Sequence, residues 1–133
     1  MHWGECVHGR DLPDAVRRAI EGVCGFDIEL AMSGFAAPVR LSQGPQRIAA
    51  GKAQVRQHLV RILAAVDAIE YDVAAAWVRR ELTVLEADLR FTRGDHAYVQ
   101  LPVTIVLRLA DGLISEVQFW TCEAAVNGKS QVA

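Results

Sequence analysis

The sequence has no apolar run approaching the ~18 residues that a membrane span needs, so no transmembrane helix is expected. It also has no large excess of one charge. Sixteen Asp and Glu stand against fourteen Lys and Arg, a net charge of −2, which leaves no electrostatic footprint for nucleic acid. Cysteine is scarce and odd in number. Cys6, Cys24 and Cys122 are far apart, which excludes a paired Cys-x-x-Cys motif and favours reduced thiols in the cytoplasm. The opening "MHWGECVHGR" lacks a basic region followed by an apolar core, so no secretory signal is expected there. No glycine-rich phosphate loop and no nucleophile elbow is present. What remains is a chain of 133 residues, 52% hydrophobic and 23% charged. That is globular rather than disordered, and long enough to bury one core without staples.

Residues 1–10 read as a mobile arm, 11–124 as one folded domain and 125–133 as a tail. Asp11 is placed to cap a first helix, with Pro13 and Asp14 in its first turn. Val16, Ala19, Ile20 and Val23 then recur at helical spacing, and Gly25 is a stop. Asp27 caps a second short helix through about Phe35. "PVRLS" (38–42) is a short strand, and the Gly–Pro of "QGPQR" (43–47) makes a loop. Val55, Leu59, Ile62, Leu63 and Val66 mark a third amphipathic helix. Beyond Asp67 the period changes from helical to alternating. Strands are expected over 69–78, 82–92, 97–109 and 113–123, with "ADG" (110–112) as a hairpin turn. Helices first and a meander last imply an α+β fold: three N-terminal helices on a strongly curved, mainly antiparallel sheet.

This order resembles the nuclear-transport-factor-2-like superfamily, in particular its SnoaL-like branch with the ketosteroid isomerase-like, cystatin-like cone fold. "GFDIELAMSGFAAPVRLS" resembles the second helix running into the first strand. "AAGKAQVRQHL" resembles the glycine-led start of the third helix, and "LPVTIVLRLADGLISEVQFW" the final hairpin. The resemblance implies a cone enclosing one apolar pocket, and a homodimer through the open sheet face. Relatives include ketosteroid isomerases, scytalone dehydratase, limonene epoxide hydrolase, polyketide cyclases and non-catalytic binding or dimerisation domains, since one fold hosts many activities. The expected ligand is therefore a small hydrophobic organic molecule. It would meet either cofactor-free acid–base chemistry or a binding or dimerisation module without chemistry. No cofactor, nucleic acid or membrane partner is expected.

The isomerase pattern carries over poorly. Its base would fall on Gln43 or Ser42, its helix-1 tyrosine on Ala19, and its protonated aspartic acid on Thr104. The epoxide hydrolase pattern places its Arg-x-Asp pair on Glu86 and Asp88, and its other aspartate on Phe119. Those two acids lie in "VLEADLRF" (84–91), where Glu86, Asp88 and Arg90 share one strand face. Neighbours on one face of a strand are about 6.7 Å apart. Two carboxylates at that distance repel by roughly 2–3 kcal/mol at an effective dielectric near 20. In a pocket, Asp88 could then serve as base, Glu86 as acid or orienter and Arg90 as electrostatic partner. Alternatively, the three form a solvated or partner-facing stripe. His58, at the edge of the helix-3 stripe, is either a boundary residue or a proton shuttle. Trp77 shares a strand face with Tyr71, Val73 and Ala75, and this face is expected to form core or cavity wall. Tyr98, Gln100 and Thr104 are candidate polar anchors, and Val117 and Phe119 candidate pocket wall. His2, Cys6 and His8 are possible metal ligands, but their spacing matches no standard site, so no metal is expected.

Overall fold

The computed structural model describes residues 11–95 and 97–121, and of the first ten residues only the backbone of Glu5–Cys6. The expected arm and tail otherwise lie outside the described residues. Strand β1 (Glu5–Cys6) pairs with Val78 and Trp77. Helix α1 (Asp14–Cys24) buries Ala15, Val16, Ala19 and Gly22, the three- and four-residue spacing of one helical stripe. It starts later than Asp11 suggests. Pro13 is the N-cap and makes no side-chain bond, while Asp14 puts negative charge in the first turn and pairs with Arg17 and Arg18. Asp27 does cap α2 (Ile28–Met32), accepting from the Leu30 N–H at 3.0 Å. That helix ends at Met32, and Phe35 already belongs to β2 (Phe35–Gln43).

Gly44, at φ 56°, and Pro45 then turn the chain into β3 (Gln46–Ala50). This strand replaces part of the expected loop. Only Ala49 of its five residues is buried, so it shows no alternation to read. Helix α3 (Lys52–Ala65) runs directly into β4 (Val66–Arg79), followed by β5 (Leu82–Arg93), β6 (Tyr98–Ala110) and β7 (Leu113–Thr121). Asp111 and Gly112 both have positive φ, 52° and 81°, as a type I′ hairpin turn requires. The sheet order is β1-β4-β5-β6-β7-β2-β3, antiparallel throughout except where β2 meets β7. The sheet is strongly curled but not closed. Helix α1 packs on β4 and β7, and α3 on β2, β3 and β4. The α+β architecture expected from the sequence is the one observed. No helix among the described residues is long and apolar enough to cross a membrane.

Strand alternation decides which side chains meet the helices. On β5, Thr83, Leu85 and Ala87 are buried while Glu86 is exposed. On β6, Val103, Ile105, Leu107 and Leu109 are buried while Arg108 is exposed. Strand β4 breaks the pattern with a register shift between Val73 and Ala75. Before it, Tyr71 and Val73 sit opposite Leu89 and Ala87; after it, Ala76 sits opposite Leu85, and Trp77 opposite Val84. The extra residue moves Trp77 to the other face, away from Tyr71.

Two glycines fix the approach of α1 to α2 and the turn after it. A Cβ at Gly22 would lie 2.3 Å from the Ala31 nitrogen, and one at Gly34 would lie 2.4 Å from the Ala15 oxygen. Gly22→Ala should therefore destabilise by about 1–3 kcal/mol through overpacking, although alanine is favoured in a helix by about 1 kcal/mol. Gly94→Ala, where a Cβ meets nothing within 4 Å, should stay within about 0.5 kcal/mol of wild type. Urea denaturation of the two variants checks both expectations.

Candidate functional site

The concave face of the sheet and the two longer helices enclose an apolar cavity in two adjoining lobes. The inner lobe, about 100 Å³, lies between α1 (Ala19, Ile20, Val23), α3 (Val55, Leu59) and the strand residues Val39, Leu85 and Leu107. The outer lobe, about 360 Å³, adds Ile48, Val66, Leu89 and Phe91, with Gln43, Arg93 and Thr121 as polar members. Leu41, His58, Ile62, Ile69, Tyr71 and Phe119 line both, so the two adjoin. The wall is the core itself: Val39, Val55 and Leu85 are among the most deeply buried side chains.

His58 and Tyr71 are the titratable groups at the junction of the lobes. Burial pushes the His58 imidazole below the ordinary histidine value, and the nearby Arg61 charge pushes it the same way. Burial pushes the Tyr71 phenol upward, with a smaller contribution from Cys24. Around neutral pH the junction therefore presents a neutral imidazole and a neutral phenol. The first can accept a proton or a hydrogen bond and the second can donate one. Burial also raises the Cys24 thiol, against a hydrogen bond from the Tyr71 backbone, and Glu70 adds to the rise. The thiol is thus held protonated rather than activated.

Of the candidate catalytic and ligand-binding residues named from the sequence, His58, Val117 and Phe119 line the cavity. The others lie elsewhere. Glu86, Asp88 and Thr104 line a shallow depression with Ala74, Pro102 and Trp120, on the convex face, whereas Leu85, Leu89 and Phe91 of the same strand line the cavity. The cause is parity. Successive side chains of a strand point to opposite faces, so Glu86 and Asp88, onto which the epoxide hydrolase pattern falls, share the outer face while Leu85 and Leu89 face inward. Arg90 does not serve Glu86 or Asp88. It binds Glu70 at 2.7 Å and Asp72 at 2.6 Å across the β4–β5 ladder, which offsets the repulsion between directly opposed Asp72 and Asp88. Tyr98 is 60% exposed and donates to the Gln100 side chain at 3.1 Å; both line neither lobe. Trp77 has been turned outward by the β4 bulge.

The carried-over isomerase positions divide in the same way. Ala19 and Gln43 face the cavity, while Ser42 belongs to neither lobe and Thr104 points away, its neighbours Val103 and Ile105 pointing in. Tyr71 was legible only as wall, and Arg93 was not singled out at all. Its signal was its parity with Leu89 and Phe91. Among the described residues no group of three or more His, Cys, Asp or Glu side chains could hold a metal ion. The side chains of His2, Cys6 and His8 lie outside them.

No known family profile matches the sequence, and no curated protein matches it. Solved structures do match in fold. A protein assigned as a SnoaL-like polyketide cyclase, from Shewanella denitrificans OS-217, superposes with a TM-score of 0.80 at 10% identity, over 90% of this chain and 96% of its own. A Catenulispora acidiphila DSM 44928 protein with a ketosteroid isomerase-like fold, in complex with trimethylamine, gives 0.77 at 16% identity, over 90% and 93%. An LEH-like epoxide hydrolase from M. tuberculosis gives 0.77 at 16%, over 87% and 86%. The chain thus has the NTF2-like, ketosteroid isomerase-like fold that the sequence resembles.

The His58 shift has a measurable sign. The folded state holds the imidazolium proton less tightly than the unfolded chain, so the stability gained from His58 is complete above an unfolded pKa of about 6.5 and is lost as pH falls through the folded value. An NMR titration of the ring should place its midpoint below that of a free histidine. In denaturant unfolding at stepped pH, wild type should lose stability relative to His58→Gln as the solution is acidified below about pH 6.5.

Proposed function

We propose that this protein binds a small hydrophobic organic molecule in its cone cavity and acts on it by cofactor-free acid–base chemistry. The observation that carries the reading is the convergence of His58 and Tyr71 on the junction of an otherwise apolar cavity. A neutral imidazole can take a proton from a carbon acid or a water, and a neutral phenol can donate to an oxygen that gains charge. Both are held neutral by burial, which suits isomerase-, hydrolase- or cyclase-type steps. This reading moves the chemistry from Asp88, Glu86 and Arg90 to residues that face the cavity. The Catenulispora protein of similar fold is in complex with trimethylamine, which supports a small organic ligand here. A non-catalytic binding module is the second reading, favoured by the small number of polar groups on the wall.

We place a second copy of the chain on the convex face. It carries exposed Trp120. Asp72, Glu86 and Asp88 lie toward β4 and β5, and Arg40 and Arg108 toward β2 and β6, both of these near Glu116. A face that presents carboxylates, arginines and an exposed tryptophan offers partners of both signs to a second copy related by a two-fold axis.

Titration with Nile red, a neutral apolar dye, tests the cavity. Wild type should bind it saturably, and Ala19→Phe, which fills the inner lobe, should weaken binding at least about tenfold while keeping the wild-type circular dichroism. Unsaturable binding by wild type, or an unaffected variant, would remove the reading. Sedimentation velocity tests the face: a dimer that Trp120→Arg converts to monomer supports it, and a monomeric wild type overturns it.

A further inference from the structure

We propose that the ligand is an amphiphilic organic acid, its anionic group held by Arg93 at the outer lobe and its apolar body running inward to His58 and Tyr71. The inference rests on the cavity-binding reading above. It adds the charge and polarity axis of the ligand.

The charge inventory of the wall carries it. Among the described residues Arg93 is the one cationic side chain lining either lobe, apart from the neutral His58, and no Asp or Glu lines either. An anion entering the outer lobe would meet one guanidinium and no like charge on the wall. A cation would find no counter-charge there. Arg93 has donors to spare. Its contact to Asp95 is long, 3.5 Å, against the 2.6–2.7 Å that Arg90 makes with its two carboxylates. Asp95 is also engaged in the turn, where it accepts from the Ala97 N–H at 3.0 Å. A planar guanidinium can grip a carboxylate through two parallel bonds. Gln43 and Thr121, on the same lobe, add neutral hydrogen-bonding capacity.

Strand geometry sets the spacing. Arg93, Phe91 and Leu89 face the outer lobe in succession along β5, and Leu89 pairs across the ladder with Tyr71. Four residues of strand separate Arg93 from Leu89, about 13 Å. The ligand would therefore carry an apolar stretch of that length between its anion and the group presented to Tyr71 and His58.

Three ten-carbon probes with one body and different heads separate the terms: decanoate, 1-decanol and decylamine, measured by displacement of Nile red. Decanoate should bind at least about tenfold tighter than decylamine, with decanol between them. With each affinity taken relative to that for Nile red in the same variant, Arg93→Gln should abolish that order, and Arg93→Lys should restore part of it. Asp95→Asn, which removes the competing carboxylate, should tighten decanoate alone. Equal binding of the three probes, or an order that survives Arg93→Gln, overturns this inference and leaves the cavity reading standing. Failure of every probe and of Nile red itself overturns both.

Discussion

A curled sheet has two unlike faces, and nearly everything in this molecule depends on keeping them unlike. The concave face holds Leu85, Ile105, Leu107 and Val117 against the helices. The convex face carries Glu70, Asp72, Glu86, Asp88 and Arg90, and Arg90 pairs with Glu70 and Asp72. The strands are long, so the separation is enforced at many positions at once. A slip of β6 by one residue would send Val103, Ile105, Leu107 and Leu109 to the outside, and the same slip of β5 would send Glu86, Asp88 and Arg90 into the cone. The register of both is correspondingly well specified. The bulge in β4 changes the parity within the strand just before β4 takes on β1 as its outer neighbour, and a second register shift, between Arg108 and Leu109, lies where β6 meets β7.

The cavity follows from the same constraint. The two helices that cover the concave face approach it closely at some points and stand off at others. Close approach is set by Gly22 and Gly34, which let α1, α2 and the turn into β2 meet backbone to backbone. Farther along, His58, Leu59 and Ile62 of α3 line the cavity, Leu59 also packing against the core. Because the cavity is lined by core aliphatics, the few polar groups in it lie in a poorly solvated setting. Burial rather than any specific partner leads the shifts of both His58 and Tyr71. The surface acids, which drew notice in the sequence, are solvated and sit beside a neutralising arginine.

The fold was legible because its signals are redundant. Asp27 caps as its position suggests, the Asp111–Gly112 turn has the dihedrals its residues favour, and the alternation of β5 and β6 repeats over a dozen residues. β3 was not legible, since an edge strand with one buried residue has no pattern. The site was legible only in part, because alternation tells which residues share a face and not which face is inside. Glu86, Asp88 and Arg90 were correctly grouped together and apart from Leu85 and Leu89. The hydrolase count then carried them into the cavity, whereas the aliphatic half of the same strand faces it. Trp77 failed for a different reason: a bulge adds a residue without leaving a mark in local composition.

The inner lobe has a consequence for the folding equilibrium. A void among aliphatic side chains forfeits dispersion contacts, and at about 24 cal/mol per Å³ one of 100 Å³ corresponds to about 2 kcal/mol. Val39, Val55 and Leu85 are at once the keystones of the core and the surface a guest would touch. A molecule that fills the space therefore completes the hydrophobic interior as well as being recognised by it. By mass action, occupancy and resistance to unfolding rise together, so the abundance of the folded chain would itself report how much of its guest is present.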